Sequence, residues 1–310
     1  MLSQGAATPE PPEENRRYRL LRLGLACNAD CLFCNVPAES YPYPARLSTA
    51  EAEWEIDRMA AEGADRLELS GGEPSLRPDL DRLVAHARAR GFSRVELQTN
   101  GLALAPRGRA EALRRAGLTH AFVALHSQLP RAHDGLLRMP GAWRDCVAAI
   151  ENLIAAGVEV ILNPVVTAVQ YRAMAGYMRF VGAEFKIESV SLSVVQPHGR
   201  AEGAPSLVPR YRDLSPRIEA ALDEADRLGL RVLNPFCGLP LCVGGWHRRL
   251  PRCVEWCEAE LGHAPGDGMK TKPPLCASCA LRTHCGGVWR RYLTIDPEPW
   301  LRPLGELHAS

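Results

Sequence analysis

Cys27, Cys31 and Cys34 stand in the stretch Cys-Asn-Ala-Asp-Cys-Leu-Phe-Cys, at spacings of four and three residues. Thiolates so spaced in a loop can converge on one face of a metal cluster. A cubane 4Fe–4S cluster has four irons, so three cysteine ligands leave one iron open to bind and reduce a ligand. A structural zinc site is the alternative, but it normally takes four protein ligands, often as paired CxxC knuckles. A lone triplet suits zinc poorly. Seven more cysteines fall between Cys237 and Cys285, closing with Cys276-x-x-Cys279-x5-Cys285, and Cys146 stands alone. Eleven cysteines in a reducing compartment more often bind metal or act chemically than pair as disulfides.

Such ligands need a scaffold, and the chain supplies an alternation of strands and helices. Candidate strands are 19–26, 65–69, 94–98, 121–125, 158–163 and 187–195. Between them run apolar stripes of helical period. Ser48 and Glu51 have capping-box spacing ahead of Ile56, Met59 and Ala60, with Gly63 at the stop. Leu80, Leu83, Val84 and Ala87 lie at i, i+3, i+4, i+7 before Gly91. Cys146, Val147, Ile150, Leu153 and Ile154 form another stripe, ended by Gly157, which makes Cys146 a core residue rather than a ligand. A last helix carries Ile218, Ala221, Leu222 and Ala225, with Ser215 and Pro216 read as its start.

Repeated βα units specify a parallel sheet, and six of them fall short of the eight that close a full barrel. The expected fold is therefore α/β: a partial (β/α)6 barrel over residues 18–233. In such sheets ligands sit at the C-terminal ends of the strands. Residues 234–310 are dense in Gly, Pro, Trp and Cys and lack a long periodic helix, the composition of a small Cys-rich domain held by metal. Residues 1–17 are rich in Pro, Glu and Ala and read as a disordered lead-in.

The 310 residues are 46% hydrophobic and 24% charged, ordinary globular usage, with a formal net charge of +1. That balance argues against a nucleic-acid or membrane surface as the main partner. No membrane-length apolar run and no secretory signal are visible, so a cytoplasmic location is expected.

Five short motifs, each at the end of a candidate strand, resemble those of the radical S-adenosylmethionine superfamily. They are the CxxxCxxC triplet with Phe33 before its last cysteine, Ser70-Gly71-Gly72-Glu73-Pro74, Gln98-Thr99-Asn100-Gly101, His126-Ser127 and Asn163-Pro164. The resemblance covers residues 19 to about 200. It implies an enzyme whose 4Fe–4S cluster, on Cys27, Cys31 and Cys34, binds S-adenosyl-L-methionine and cleaves it to a 5′-deoxyadenosyl radical that abstracts hydrogen from a substrate. It also implies an electron donor such as flavodoxin or ferredoxin. Gly71 and Gly72 lack side chains, so their backbone can approach the ammonium of the methionine moiety, with Glu73 supplying charge or bracing the loop. Phe33 would lie beside the adenine. Asn100 and Ser127 would hold the carboxylate or ribose hydroxyls, or act only as turn caps, and His126 reads equally as a core histidine.

Cys276, Cys279 and Cys285, followed by Gly-Gly, resemble the auxiliary-cluster region of superfamily members with a SPASM or shortened twitch extension. The resemblance implies one auxiliary 4Fe–4S cluster. Its fourth ligand is Cys242 by preference, in a Gly-rich loop able to fold back, with Cys237, Cys253 and Cys257 competing. Structural zinc is the alternative. Members with this extension act on ribosomal peptides or on small molecules. The peptide is preferred here, although 17 residues before the barrel are few for a leader-recognition domain. A small-molecule oxidoreductase or mutase is the second reading. A non-catalytic electron carrier is the remote one, since it has no use for the strand-end motifs.

Overall fold

Alternate residues of the first strands are apolar: Leu67 and Leu69, Val95 and Leu97, and Ala121 and Val123 are all almost fully buried. Side chains at this period share one face of a strand, and here that face packs on the stripes of the intervening helices. The computed structural model describes residues 18–37, 39, 41–265 and 268–305. The expected lead-in, residues 1–17, lies outside the described residues.

The strands are β1 (Tyr18–Arg22), β2 (Arg66–Ser70), β3 (Arg94–Thr99), β4 (His120–Val123), β5 (Glu159–Leu162), β6 (Val165–Val166), β7 (Ser189–Ser191), β8 (Ser193–Val194) and β9 (Val232–Leu233). One parallel sheet has the order β1-β2-β3-β4-β5-β7-β9, and β6 pairs with β8 as a separate two-stranded parallel piece. Each new strand joins beside its predecessor, as in a barrel that winds one way and stops short of closing. The fifth expected strand, 158–163, is β5, and an additional short strand, β6, follows past Asn163-Pro164, where proline has no amide for the ladder. The sixth is split into β7 and β8. A seventh strand, β9, is only two residues long, too short to show a period.

Between them lie α1 (Thr49–Ala61), α2 (Leu80–Ala89), α3 (Arg109–Ala116), α4 (Pro130–Leu137), α5 (Ala142–Ala155), α6 (Met174–Glu184) and α7 (Tyr211–Arg227). The capping box at α1 is formed: Ser48 Oγ accepts from the Glu51 amide and the Glu51 carboxylate from that of Ser48. Cys146 is fully buried on α5. The start of α7 differs from the sequence reading. The helix begins at Tyr211 and contains Pro216, while Ser215 Oγ accepts the amide of Gly244 rather than capping a helix.

The C-terminal region adds α8 (Val254–Glu260), a hairpin pair β10 (Lys270–Thr271) and β11 (Val288–Trp289), and α9 (Tyr292–Ile295). It has more core than its composition suggests. Leu239, Leu241, Val243, Trp246, Val288 and Tyr292 are almost fully buried, in the same apolar cluster as the barrel helices. No helix among the described residues is long and apolar enough to cross a membrane.

Candidate functional site

The cysteine triplet lies in a long excursion after β1 whose base is pinned by backbone. The Leu25 amide donates to Ala45 O at 2.9 Å, that of Leu47 to Leu23 O at 3.0 Å, and Gly24 bridges Arg46. The loop then docks on the end of α4, with the Asp30 amide on Leu137 O at 3.1 Å and that of Leu32 on Leu136 O at 3.0 Å. Cys27 is exposed; Cys31 and Cys34 are half-buried.

Backbone amides point at these sulfurs: Ala29 N–H reaches Cys27 Sγ at 3.4 Å, and the Val36 amide faces Cys34 Sγ. Burial raises the pKa of all three thiols, that of Cys31 to about 12, and the neighbouring sulfurs of Cys27 and Cys34 add to it at Cys31. Arg200 lowers the pKa of Cys31 and Cys34 without offsetting that rise; crowded thiols with amide donors suit a bound metal cluster, whose charge stabilises thiolates.

Gly71 and Gly72 explain why the loop can lie where it does. A Cβ on Gly71, at φ +133°, would sit 2.2 Å from Gly24 O, and one on Gly72 would sit 2.3 Å from Ala26 O. The Gly72 amide donates to Gly24 O and that of Glu73 to Ala26 O, both at 2.8 Å. These amides are therefore spent on the cysteine-bearing segment. Among the described residues no protein donor reaches the carbonyls of Gly71 or Gly72, which leaves them for a donor such as an ammonium.

Glu73 is buried and its carboxylate faces inward. Oε1 accepts from the Ser75 amide at 2.9 Å, Ser75 Oγ at 2.5 Å and Thr99 Oγ1 at 2.7 Å; Oε2 accepts from the Asn100 amide at 2.6 Å. Burial raises its pKa against the pull of these donors. Of the two roles expected for Glu73, these contacts are those of a brace. Asn100, so held, donates from Nδ2 to Asn28 Oδ1 at 2.8 Å and lies 3.9 Å from Cys27 Sγ. Asn28 has no sequence signal of its own beyond its place between two cysteines.

The remaining residues lie inside the same edge. Phe33 packs edge-on to His126 with ring centroids 4.9 Å apart. His126 Nδ1 accepts the Val165 amide at 3.2 Å and its ring stacks on His133, the environment of a neutral core histidine; burial holds its pKa well below the usual range. Ser127 is fully buried and its Oγ accepts the Leu129 amide at 3.0 Å, the turn-cap geometry. Asn163 Nδ2 donates to Ser191 O and Ser193 Oγ, both at 2.7 Å, tying β5 to β7 and β8.

The C-terminal cysteines separate into groups. Cys242, Cys276, Cys279 and Cys285 line one apolar cavity, along with Leu281 and Leu301. Cys285 Sγ accepts the Gly287 amide at 3.4 Å, and the Arg302 amide faces Cys242 Sγ. Burial pushes the Cys242 thiol up to about 12, with Cys285, Cys279 and Cys276 adding to the rise. The competitors are engaged elsewhere. Cys237 Sγ is 3.0 Å from Ser193 Oγ at the barrel edge, while Cys253 and Cys257 donate to Arg249 O and Pro251 O, each at 3.6 Å. The Cys285 loop is anchored by a buried ion pair: Glu255 takes Lys270 Nζ at 2.6 Å and the Gly286 amide at 2.8 Å.

Residues 21–180 match the signature of the Radical SAM superfamily, just over half of the chain. The chain belongs to the radical SAM superfamily. Its members use a 4Fe–4S cluster and S-adenosylmethionine, and the strand-end edge described above is where this radical SAM chain gathers its motifs. It is 36% identical to the AdoMet-dependent heme synthase of Methanosarcina barkeri over 47% of this chain and 41% of that one. It is 28% identical to the PqqA peptide cyclase of Ruegeria pomeroyi over 79% of this chain and 67% of the cyclase. The chain spans only 36% to 41% of the length of the heme synthases it matches. In fold it is similar to anSMEcpe with bound AdoMet, at a TM-score of 0.60 and 17% identity, over 86% of this chain and 71% of the other.

The brace predicts a defect of its own. Glu73→Ala leaves the buried donors of Ser75, Thr99 and Asn100 without an acceptor, at about 1–3 kcal/mol for each that finds none. We expect denaturant unfolding of the metal-free variant to show a loss of about 3 kcal/mol or more, together with weaker S-adenosylmethionine binding. Unfolding at the wild-type midpoint would show that this network does not hold the edge.

Proposed function

We propose that the chain is a radical SAM enzyme acting on a peptide, with its S-adenosylmethionine-binding cluster on Cys27, Cys31 and Cys34 and an auxiliary 4Fe–4S cluster on Cys242, Cys276, Cys279 and Cys285. When bound, the first cluster and S-adenosylmethionine supply a 5′-deoxyadenosyl radical for hydrogen abstraction from an unactivated C–H bond. The chain's own residues bind, orient and exclude. Gly71 and Gly72 offer carbonyls to the ammonium, and Asn100, fixed by Glu73, presents its amide beside Cys27. Phe33 and His126 keep water from beneath the loop.

The observation that carries the reading is the four-cysteine cavity, built on the same core as the barrel. It favours relatives whose likeness extends past the barrel, and those are peptide proteins by name. The PqqA peptide cyclase match covers 79% of the chain, more than the barrel contains. anSMEcpe, alike in fold over 86%, has also been solved with a bound Kp18Cys peptide. The heme synthase and GTP 3',8-cyclase matches cover at most 61% of the chain, less than the barrel alone, so a small-molecule substrate is the weaker reading.

The test follows the hydrogen. Reduced, cluster-loaded protein is given S-adenosylmethionine with deuterated peptides, or with deuterated tetrapyrrole or nucleotide candidates. Deuterium should appear in 5′-deoxyadenosine from a peptide, with a mass loss in that peptide. Transfer only from a tetrapyrrole or nucleotide would overturn the peptide assignment and leave the radical chemistry standing.

A further inference from the structure

β1 forms one edge of the main sheet, and residues 196–200 follow β8, which pairs with β6 in a separate two-stranded piece. The cysteine loop, which follows β1, reaches from the first to the second. Its far end meets residues 196–200, and the contact is backbone against backbone: a Cβ on Gly199, at φ +60°, would sit 2.4 Å from Cys34 O. The Arg200 amide donates to Cys34 O at 2.9 Å, and Asn35 Nδ2 donates to Gln196 Oε1 at 3.1 Å.

Arg200 completes the contact with its side chain. Nε and Nη2 grip the Glu39 carboxylate at 2.6 and 3.0 Å, while Nη1 donates to Cys31 O at 3.1 Å and to the Asp30 carboxylate. Asp30 is held from its other side by Arg138 at 3.0 Å, at the end of α4. The loop carrying all three thiols is thus gripped between α4 and the connection from β8 to α7. The guanidinium pairs with two carboxylates, one of them shared with Arg138, so its contribution is directional as well as electrostatic. A planar fork satisfies Glu39, Asp30 and a carbonyl together, which the single ammonium of lysine cannot do.

We infer that Arg200 is a positioning residue for S-adenosylmethionine cleavage: it locks the Cys31–Cys34 turn against residues 196–200, so that the three thiols that would hold the cluster stay fixed relative to the Gly71–Gly72 edge. This rests on reading Cys27, Cys31 and Cys34 as cluster ligands. Nothing in the sequence marks the residue, because its partners lie 161 to 170 positions away.

The experiment uses the full chain with Arg200→Gln and Arg200→Lys. In metal-free protein, amide hydrogen exchange across residues 28–37 should quicken on the order of tenfold in Arg200→Gln, with the sheet unaffected. In reconstituted protein the reduced first cluster should keep its EPR intensity but lose the spectral change on adding S-adenosylmethionine. The yield of 5′-deoxyadenosine should fall on the order of 10- to 100-fold, as for a misplaced reacting group. Arg200→Lys should recover part of both readouts. Wild-type exchange in the loop, or a wild-type spectral change and yield in Arg200→Gln, overturns the inference. If the wild-type protein takes no iron at this loop, the ligand reading fails instead, and the exchange measurement on metal-free protein still decides the clamp.

Discussion

Protein with Cys27, Cys31 and Cys34 all replaced by Ala is expected to fold and to yield no 5′-deoxyadenosine from S-adenosylmethionine, whereas reduced, reconstituted wild-type protein yields it. The fold survives because the loop is held mainly by contacts that do not pass through a thiol. Its base is the Gly24–Arg46 bridge, its middle hangs on Leu136 and Leu137 carbonyls, and its far end rests on Gly199 and Arg200. The apolar core beneath is made of strand and helix side chains. Activity is lost because three sulfurs are the whole ligand set this loop offers; the carboxylates nearby, Asp30 and Glu39, are paired with Arg200. Circular dichroism and a thermal melt check the first half, and product analysis under anaerobic reduction checks the second. If the triple variant still forms 5′-deoxyadenosine, the radical originates elsewhere and the assignment of this site fails.

The strand-end motifs were readable because the βα pattern is regular. Strands and amphipathic helices alternate from Tyr18 to Arg227, and each motif lies at a strand's end, so all must share one edge. What those motifs do at that edge was only partly readable. Glu73 and Ser127 suggest ligand contacts by their chemistry, yet their oxygens accept from Ser75, Thr99, Asn100 and Leu129. A short polar side chain beside a turn often bonds its own backbone first. Pro216 misled for a related reason: proline usually opens a helix, but α7 begins five residues earlier and accommodates it inside. The C-terminal core was hidden because Leu239, Leu241 and Val243 sit on irregular backbone and Trp246 opens only a single 3-10 turn, with no regular element long enough to mark a buried face. That Cys242 would lie beside Cys276, Cys279 and Cys285 was legible through its glycines. Gly244 and Gly245, at φ +73° and +78°, turn the loop back as its composition implied.

That hidden core sharpens the expectation for the second cysteine site. Carefully loaded wild-type protein should hold roughly 8 irons, two cubanes of four, and the Cys27/Cys31/Cys34 variant roughly 4. Replacing Cys276, Cys279 and Cys285 by Ala should remove the other half and leave the first cluster able to cleave S-adenosylmethionine without turnover of the true substrate. Composition alone predicts that a region held by metal unfolds when its ligands go. The structure narrows the damage. Trp246, Val288 and Tyr292 belong to the common core, and the Glu255–Lys270 pair holds Gly286 without any help from sulfur. Residues 275–284 have far less to keep them: Leu281 is their one fully buried apolar side chain, while Leu275 is 39% exposed. Hydrogen exchange in the variant should therefore rise across 275–284 and remain low in α7 and β11. Exchange rising through α7 as well would mean that the metal, and not the shared core, holds this region to the barrel. A wild-type content of about 4 irons and one zinc would make the second site structural zinc.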